Sequence, residues 1–197
     1  MIYALAGDIF FTRSRSLLGR LIRWAETDPN EPNGVWANHV GVVVSPGWIV
    51  PPPLDRQFAQ AIAVEALWRA ERWNWWDNHK NEVGLEIRVY RKPNLNFEQL
   101  RRIEAEAYKY VGAKYGWWKL FAHLVDRTVF KGKKTVSNLL YIDGRPICSY
   151  LAAHVFAAGG VSFGMPPAAA DPDEMMDHCE HSGEWVLVGG SKIGDKR

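Results

Sequence analysis

The run Asn38-His39-Val40-Gly41-Val42-Val43-Val44-Ser45 limits what this chain can fold into more than any other stretch. Four valines fall within five residues. β-Branched side chains are stiff at χ1 and fit a pleated surface, and a run apolar at both parities leaves no face for solvent, so it reads as a buried strand. His39 stands near its start, a polar residue in an apolar neighbourhood. The segment Ala61-Ile62-Ala63-Val64-Glu65-Ala66-Leu67 repeats the pattern, with Glu65 as its only charge. Buried carboxylates are costly unless paired. If the two strands are neighbours, one fact explains both residues, because Glu65 would accept a hydrogen bond from one ring nitrogen of His39.

The other elements follow from punctuation and period. Gly7-Asp8 opens a strand running to Arg13, and Leu85-Glu86-Ile87-Arg88-Val89-Tyr90 alternates as a half-exposed strand does. Ser45-Pro46-Gly47 is a turn, after which Trp48-Ile49-Val50 is expected to return antiparallel. Ser14 or Ser16 caps a helix with a Leu17, Leu18, Leu21, Ile22 stripe. Asn96 and Gln99 form a capping box ahead of a longer helix, buried through Leu100, Ile103, Ala107, Tyr110 and Val111 and closed by Gly112. A shorter helix is expected over 115–125. Residues 68–80 read as a surface loop, 165–173 as linker, 184–188 as a last strand and 189–197 as a frayed end. Strands first, helices next and a closing strand give an α+β fold in one domain, 1–197.

Composition excludes some functions. The net charge of +2 provides no basic face for nucleic acid. Two cysteines, Cys148 and Cys179, make no disulfide framework at this length. The first residues lack the basic start and long apolar run of a signal peptide, and no run is long enough to span a membrane, so a soluble, cytoplasmic protein is expected. No cofactor is expected. Ten tryptophans are unusual; most fall in 68–76 and at Trp117-Trp118, where they serve either core packing or an apolar wall for a substrate.

A second polar signal is Cys148. Pro146 stops what precedes it, small and apolar residues continue to Ala158, and Gly159-Gly160 close the run. Cys148 is thus expected in the first turn of a helix, where free N–H groups and the dipole favour a thiolate. Of the six histidines, His79 reads as part of a polar loop and His154 lies on the same helix, six residues on and turned away from the thiol. His178, Cys179 and His181 crowd too closely, without a second pair, to match a zinc site, and no metal is expected. His39 is the better partner: one ring nitrogen to Glu65, the other to Cys148, which is nucleophile, base and orienting carboxylate. From the residues alone, an inert cysteine beside a plain His–Glu pair stays equally open.

Gly7-Asp8-Ile9-Phe10-Phe11, Asn38-His39-Val40-Gly41-Val42-Val43, Val64-Glu65-Ala66, Gly112 to Tyr115 and Cys148-Ser149 occur in this order. The set resembles the circularly permuted branch of the NlpC-type papain-like cysteine hydrolases, the YiiX-like group, to which lecithin:retinol acyltransferase is a distant relative. In that branch the His strand and acidic strand precede the Cys helix. The resemblance covers residues 6–165. It implies a permuted papain-like fold, with an antiparallel sheet packed on helices and the cysteine at a helix N-terminus. It implies Cys148 as nucleophile, His39 as base and Glu65 as orienting residue, with Tyr115 near the cleft; Trp117 and Ser149 are further expected to contact the substrate. Three positions depart from the family pattern: Ile147 for an aromatic residue, Tyr150 for an acidic one and Gly116 for Asp. The implied activity is acyl transfer or hydrolysis at an amide, ester or thioester, on a small lipid-like or cell-wall-type peptide substrate. Peripheral membrane contact through the Trp-rich segments fits the lipid-like option. The competing expectation is a binding module that keeps the fold and uses its Trp-rich surface to hold a partner or membrane.

Overall fold

The computed structural model describes residues 1–16, 19–20, 23, 35–52, 58–67, 69–114 and 147–193. The expected helix stripe of Leu17, Leu18, Leu21 and Ile22, the helix over 115–125, and Tyr115, Trp117 and Trp118 lie outside these residues. Among the described residues the elements are β1 (Ile2–Ala4), β2 (Ile9–Arg13), β3 (His39–Ser45), β4 (Gly47–Val50), β5 (Ile62–Ala66), β6 (Ala70–Asn74), α1 (Trp75–His79), β7 (Glu86–Arg91), α2 (Phe97–Tyr110), α3 (Cys148–Ala158), α4 (Pro172–His181) and β8 (Val186–Lys192). A six-stranded antiparallel sheet has the order β6-β5-β3-β2-β7-β8. The architecture is α+β, with antiparallel sheets packed against helices.

The valine run is central in that sheet, between β2 and β5. Alternate residues of a strand face opposite sides, and here both sides are covered. Val40, Val42 and Val44 join Ile9, Phe11 and Val64 in a core sealed by α2, α3 and α4. Val43 faces the other way, with Phe10, Ala63, Ile49 and Trp75, into a second core. That explains why β3 has no polar parity. β4 departs from expectation: it does return antiparallel, but along β1, forming a separate two-stranded sheet with it.

Two further expectations are corrected. Residues 69–80 are not a surface loop: β6 extends the main sheet along β5, and α1 turns back so that Trp75 is wholly buried in the second core. A tryptophan ring is too large an apolar body to leave in solvent when the sheet has an uncovered face. The stretch 189–193 is not frayed: β8 pairs along β7 through Gly189 and Gly190 to Lys192, and Ile193 is buried. Gly189 lies 3.3 Å from Ile2 at the position a Cβ would take, so small residues let β8 lie against β1. Within 165–173, Pro167–Ala169 is a 3-10 turn and Asp171 caps α4 by accepting from the N–H of Glu174. The capping box of Asn96 and Gln99 is present at α2.

Candidate functional site

His39 reaches the site because three contacts fix the entry to β3. Asp173 of α4 accepts the backbone N–H of Trp36 at 2.7 Å and of Ala37 at 2.9 Å with one oxygen. Asn38 exchanges two hydrogen bonds with the backbone of Ser14, and its own N–H donates to Thr12 O. The next residue, His39, is therefore delivered at a defined place on the rim of the sheet.

Glu65 is brought alongside by strand register. β3 and β5 are antiparallel with Gly41 opposite Glu65, so Glu65 sits diagonally from His39 on the same face. Gly41 makes room for this. A Cβ there would stand 2.3 Å from the Phe10 ring and 3.0 Å from the Glu65 Cβ. Nε2 of His39 lies 2.7 Å from Glu65 Oε2, and the carboxylate is 0% exposed. The other ring nitrogen, Nδ1, is left for the sulfur of Cys148, with which His39 is hydrogen-bonded.

Cys148 opens α3, after Ile147 in extended conformation as the N-cap. Its thiol is 5% exposed as a residue and receives backbone hydrogen bonds from Val40 and Ser149. The three side chains thus meet across the end of the sheet: α3 covers one face, Glu65 points to the other, and His39 at the first position of β3 spans the two. Ser149 is wholly buried beside the sulfur, and its Oγ has no hydrogen-bond partner among the described residues.

Charges in this site stabilise one another against burial. Burial pushes the Cys148 thiol up, but the positive charge and hydrogen bond of His39, with the N–H groups of Val40 and Ser149, outweigh it and lower the thiol pKa. Burial pulls His39 down; the charge and hydrogen bond of Cys148, then those of Glu65, raise it to about 10. Burial also opposes ionisation of Glu65, yet two histidines hold its carboxyl well below the usual carboxylate range. These shifts all favour the charged forms: thiolate, imidazolium and carboxylate.

The second histidine is His79, which sequence reasoning placed in a polar loop. It ends α1 and is 3% exposed. Its Nε2 is 2.9 Å from Glu65 Oε1 and its Nδ1 is 2.7 Å from Glu82 Oε1. Burial lowers its pKa, but the charges and hydrogen bonds of Glu65 and Glu82 raise it to about 9. The spacing Trp75 to His79 was the available signal: residues four apart share a helix face, and the two rings stand 4.6 Å apart.

The remaining candidates do not join the site. His154 packs its ring on Tyr150 at 4.1 Å. Cys179 is buried in the core under α4, where burial raises its thiol pKa. His178 packs edge-on against Phe163. Among the described residues, Asp177, Glu180 and His181 are the donors that come together, on an exposed face of α4, without His178 or Cys179. Glu180 there already accepts from Arg88 and Tyr90. A guanidinium on that carboxylate opposes a cation, so the donor set does not fit a metal centre.

No family model and no curated protein matches the chain. Among solved structures it is similar to the metalloprotein YiiX from Escherichia coli O157:H7. That likeness has 20% sequence identity and a TM-score of 0.50, and it covers 82% of this chain and 69% of the other. It shows a shared fold. Among the described residues no helix is long and apolar enough to cross a membrane.

Proposed function

We propose that the chain is a papain-like cysteine hydrolase or acyltransferase of the permuted NlpC type. One observation carries the reading: a buried thiol at the first position of a helix is hydrogen-bonded to a histidine whose other nitrogen is held by a buried carboxylate. The chain order supports it, since β3 and β5 precede α3. An inert buried cysteine has no use for that alignment; Cys179, where burial and Glu180 outweigh the charge of Lys92, has its pKa moved the opposite way.

In the reaction the Cys148 thiolate attacks the carbonyl carbon of an amide, ester or thioester. A C–S bond forms, and the electron pair moves to the carbonyl oxygen. The backbone N–H of Cys148 is the donor placed to meet that oxygen at the helix start. The intermediate collapses, the bond to the leaving group breaks, and His39 Nδ1 supplies its proton. Water or another acceptor then gives its proton back to His39 and attacks the thioester, which returns Cys148 as thiolate. Glu65 keeps the ring oriented throughout and favours its charged form before acylation and after deacylation. The substrate class proposed is a small lipid-like acyl compound or a peptide. YiiX is described as a metalloprotein; the mechanism proposed for this chain routes no step through a metal.

The test is alkylation by iodoacetamide across pH, with the modified residue identified by mass spectrometry. Cys148 is expected to react below the ordinary thiol pKa of about 8.5, with Cys179 silent, and His39→Ala is expected to remove that low-pH reactivity. Equal reaction of both cysteines, only above that pH, would replace this reading with that of a non-catalytic binding module.

A further inference from the structure

Glu65 is shared. One of its oxygens faces His39 and the other faces His79, and the proposed acyl transfer uses only the first. His79 in turn has a carboxylate at each ring nitrogen. An ionised carboxylate only accepts hydrogen bonds, so each nitrogen must carry a proton, and His79 is an imidazolium while both partners are ionised. Its other polar neighbour among the described residues, the amide of Asn78 at 3.3 Å from Nε2, is uncharged. Glu82 belongs to the turn after α1 and is half exposed, so water satisfies its charge; Glu65 has no water to do so.

The charges of the buried set then follow. Thiolate and Glu65 are negative, His39 and His79 positive, and the sum is zero. Without His79 the same buried set carries one net negative charge, which a low-dielectric site resists by taking up a proton. The thiolate is one of the two places that proton can go. Resting on the cysteine-nucleophile reading, we infer that His79 is a positioning residue for Cys148: through Glu65 it supplies the second positive charge that lets a carboxylate and a thiolate be ionised in one buried site. It does not touch the reacting atoms. Its ring also holds Glu65 from the far side, fixing the oxygen that faces His39.

Three variants separate this from a packing role, with the pH midpoint of Cys148 alkylation by iodoacetamide as readout. His79→Gln keeps an amide donor toward Glu65 and removes the charge; the midpoint should rise, and alkylation near pH 6 should slow about tenfold. Glu65→Gln alone removes the opposite charge together with the acceptor that holds His39 charged, and is the reference for the double variant. The double variant Glu65→Gln with His79→Gln restores a neutral pair of thiolate and imidazolium, and its midpoint should return toward the wild-type value. A merely structural His79 would not be rescued by a second core substitution. A folded His79→Gln with the wild-type midpoint, or a double variant no better than His79→Gln, overturns the inference.

Should His79→Gln not fold, Glu82→Gln on the half-exposed side tests the same point. Nitrogen NMR of the imidazoles should show His79 losing its second proton at lower pH than in the wild type, and Cys148 alkylation should slow over that same interval. No change in either overturns the inference. Wild-type Cys148 failing to alkylate below the ordinary thiol range is a different result, since it rejects the nucleophile itself.

Discussion

At the scale of single residues the site is a line of alternating charge: Cys148, His39, Glu65, His79 and Glu82. Its first three members were legible because each is a polar residue where the pattern demands an apolar one, or a thiol where a helix should begin. His79 was not legible. Its neighbours Trp76, Asp77, Asn78 and Lys80 are polar or amphipathic, and only a fold that buries Trp75 turns the face carrying His79 inward. Loss of His39 is expected to cost on the order of 10²–10⁴ in rate through lost proton transfer alone. Asp173→Ala should destabilise the protein by about 1–3 kcal/mol, because two N–H groups ahead of His39 lose their acceptor, whereas Asp173→Asn keeps an oxygen there and should cost less. Denaturant unfolding of the two variants checks this.

At the scale of elements the decisive fact is the pairing of β3 with β5. Both strands could be read in the sequence from their β-branched runs, and their adjacency was expected because it accounts for His39 and Glu65 together. Register decides the rest, since a slip of one residue would put Glu65 on the opposite face from His39. Gly41 guards that register. Gly41→Ala would bring a methyl against the Phe10 ring and the Glu65 Cβ. The expected result is a loss of about 1–3 kcal/mol from overpacking. The folded variant should also show weaker alkylation of Cys148 at low pH, whereas wild-type stability would show that the ring and carboxylate yield freely. β6, α1 and the far half of β8 were less legible. Their short, mixed or glycine-bearing segments take shape from the sheet faces and edges they cover, and local period does not encode those.

At the scale of the whole molecule, central strands buried on both faces place the ionised side chains away from water, so stability should depend on pH. His79 is raised to about 9 from an unfolded value of about 6.5. Its contribution is complete below the unfolded value and is lost as pH rises through the folded one. Between about pH 6.5 and 8.5 Cys148 and His39 together hold one proton in both states, as thiolate and imidazolium when folded and as thiol and imidazole when unfolded, so they add little slope there; below about pH 6.5 the unfolded pair binds a second proton and stability falls with acid. Glu65, held low, contributes above the usual carboxylate range and loses that contribution in acid. The melting temperature is therefore expected to be highest near pH 6.5, and stability to fall toward pH 8.5 by no more than about 1.4 kcal/mol per pH unit for the one proton. A thermal scan of the wild type against His79→Gln checks it, since the variant should lose the alkaline slope. The whole arrangement nonetheless rests on the state of one sulfur. The ultraviolet absorbance of thiolate, titrated in the wild type and in Cys148→Ser, measures it directly. One thiolate, absent from Cys148→Ser, should already be formed below the ordinary thiol pKa of about 8.5; a difference signal that appears only at or above that pH would contradict a charged Cys148.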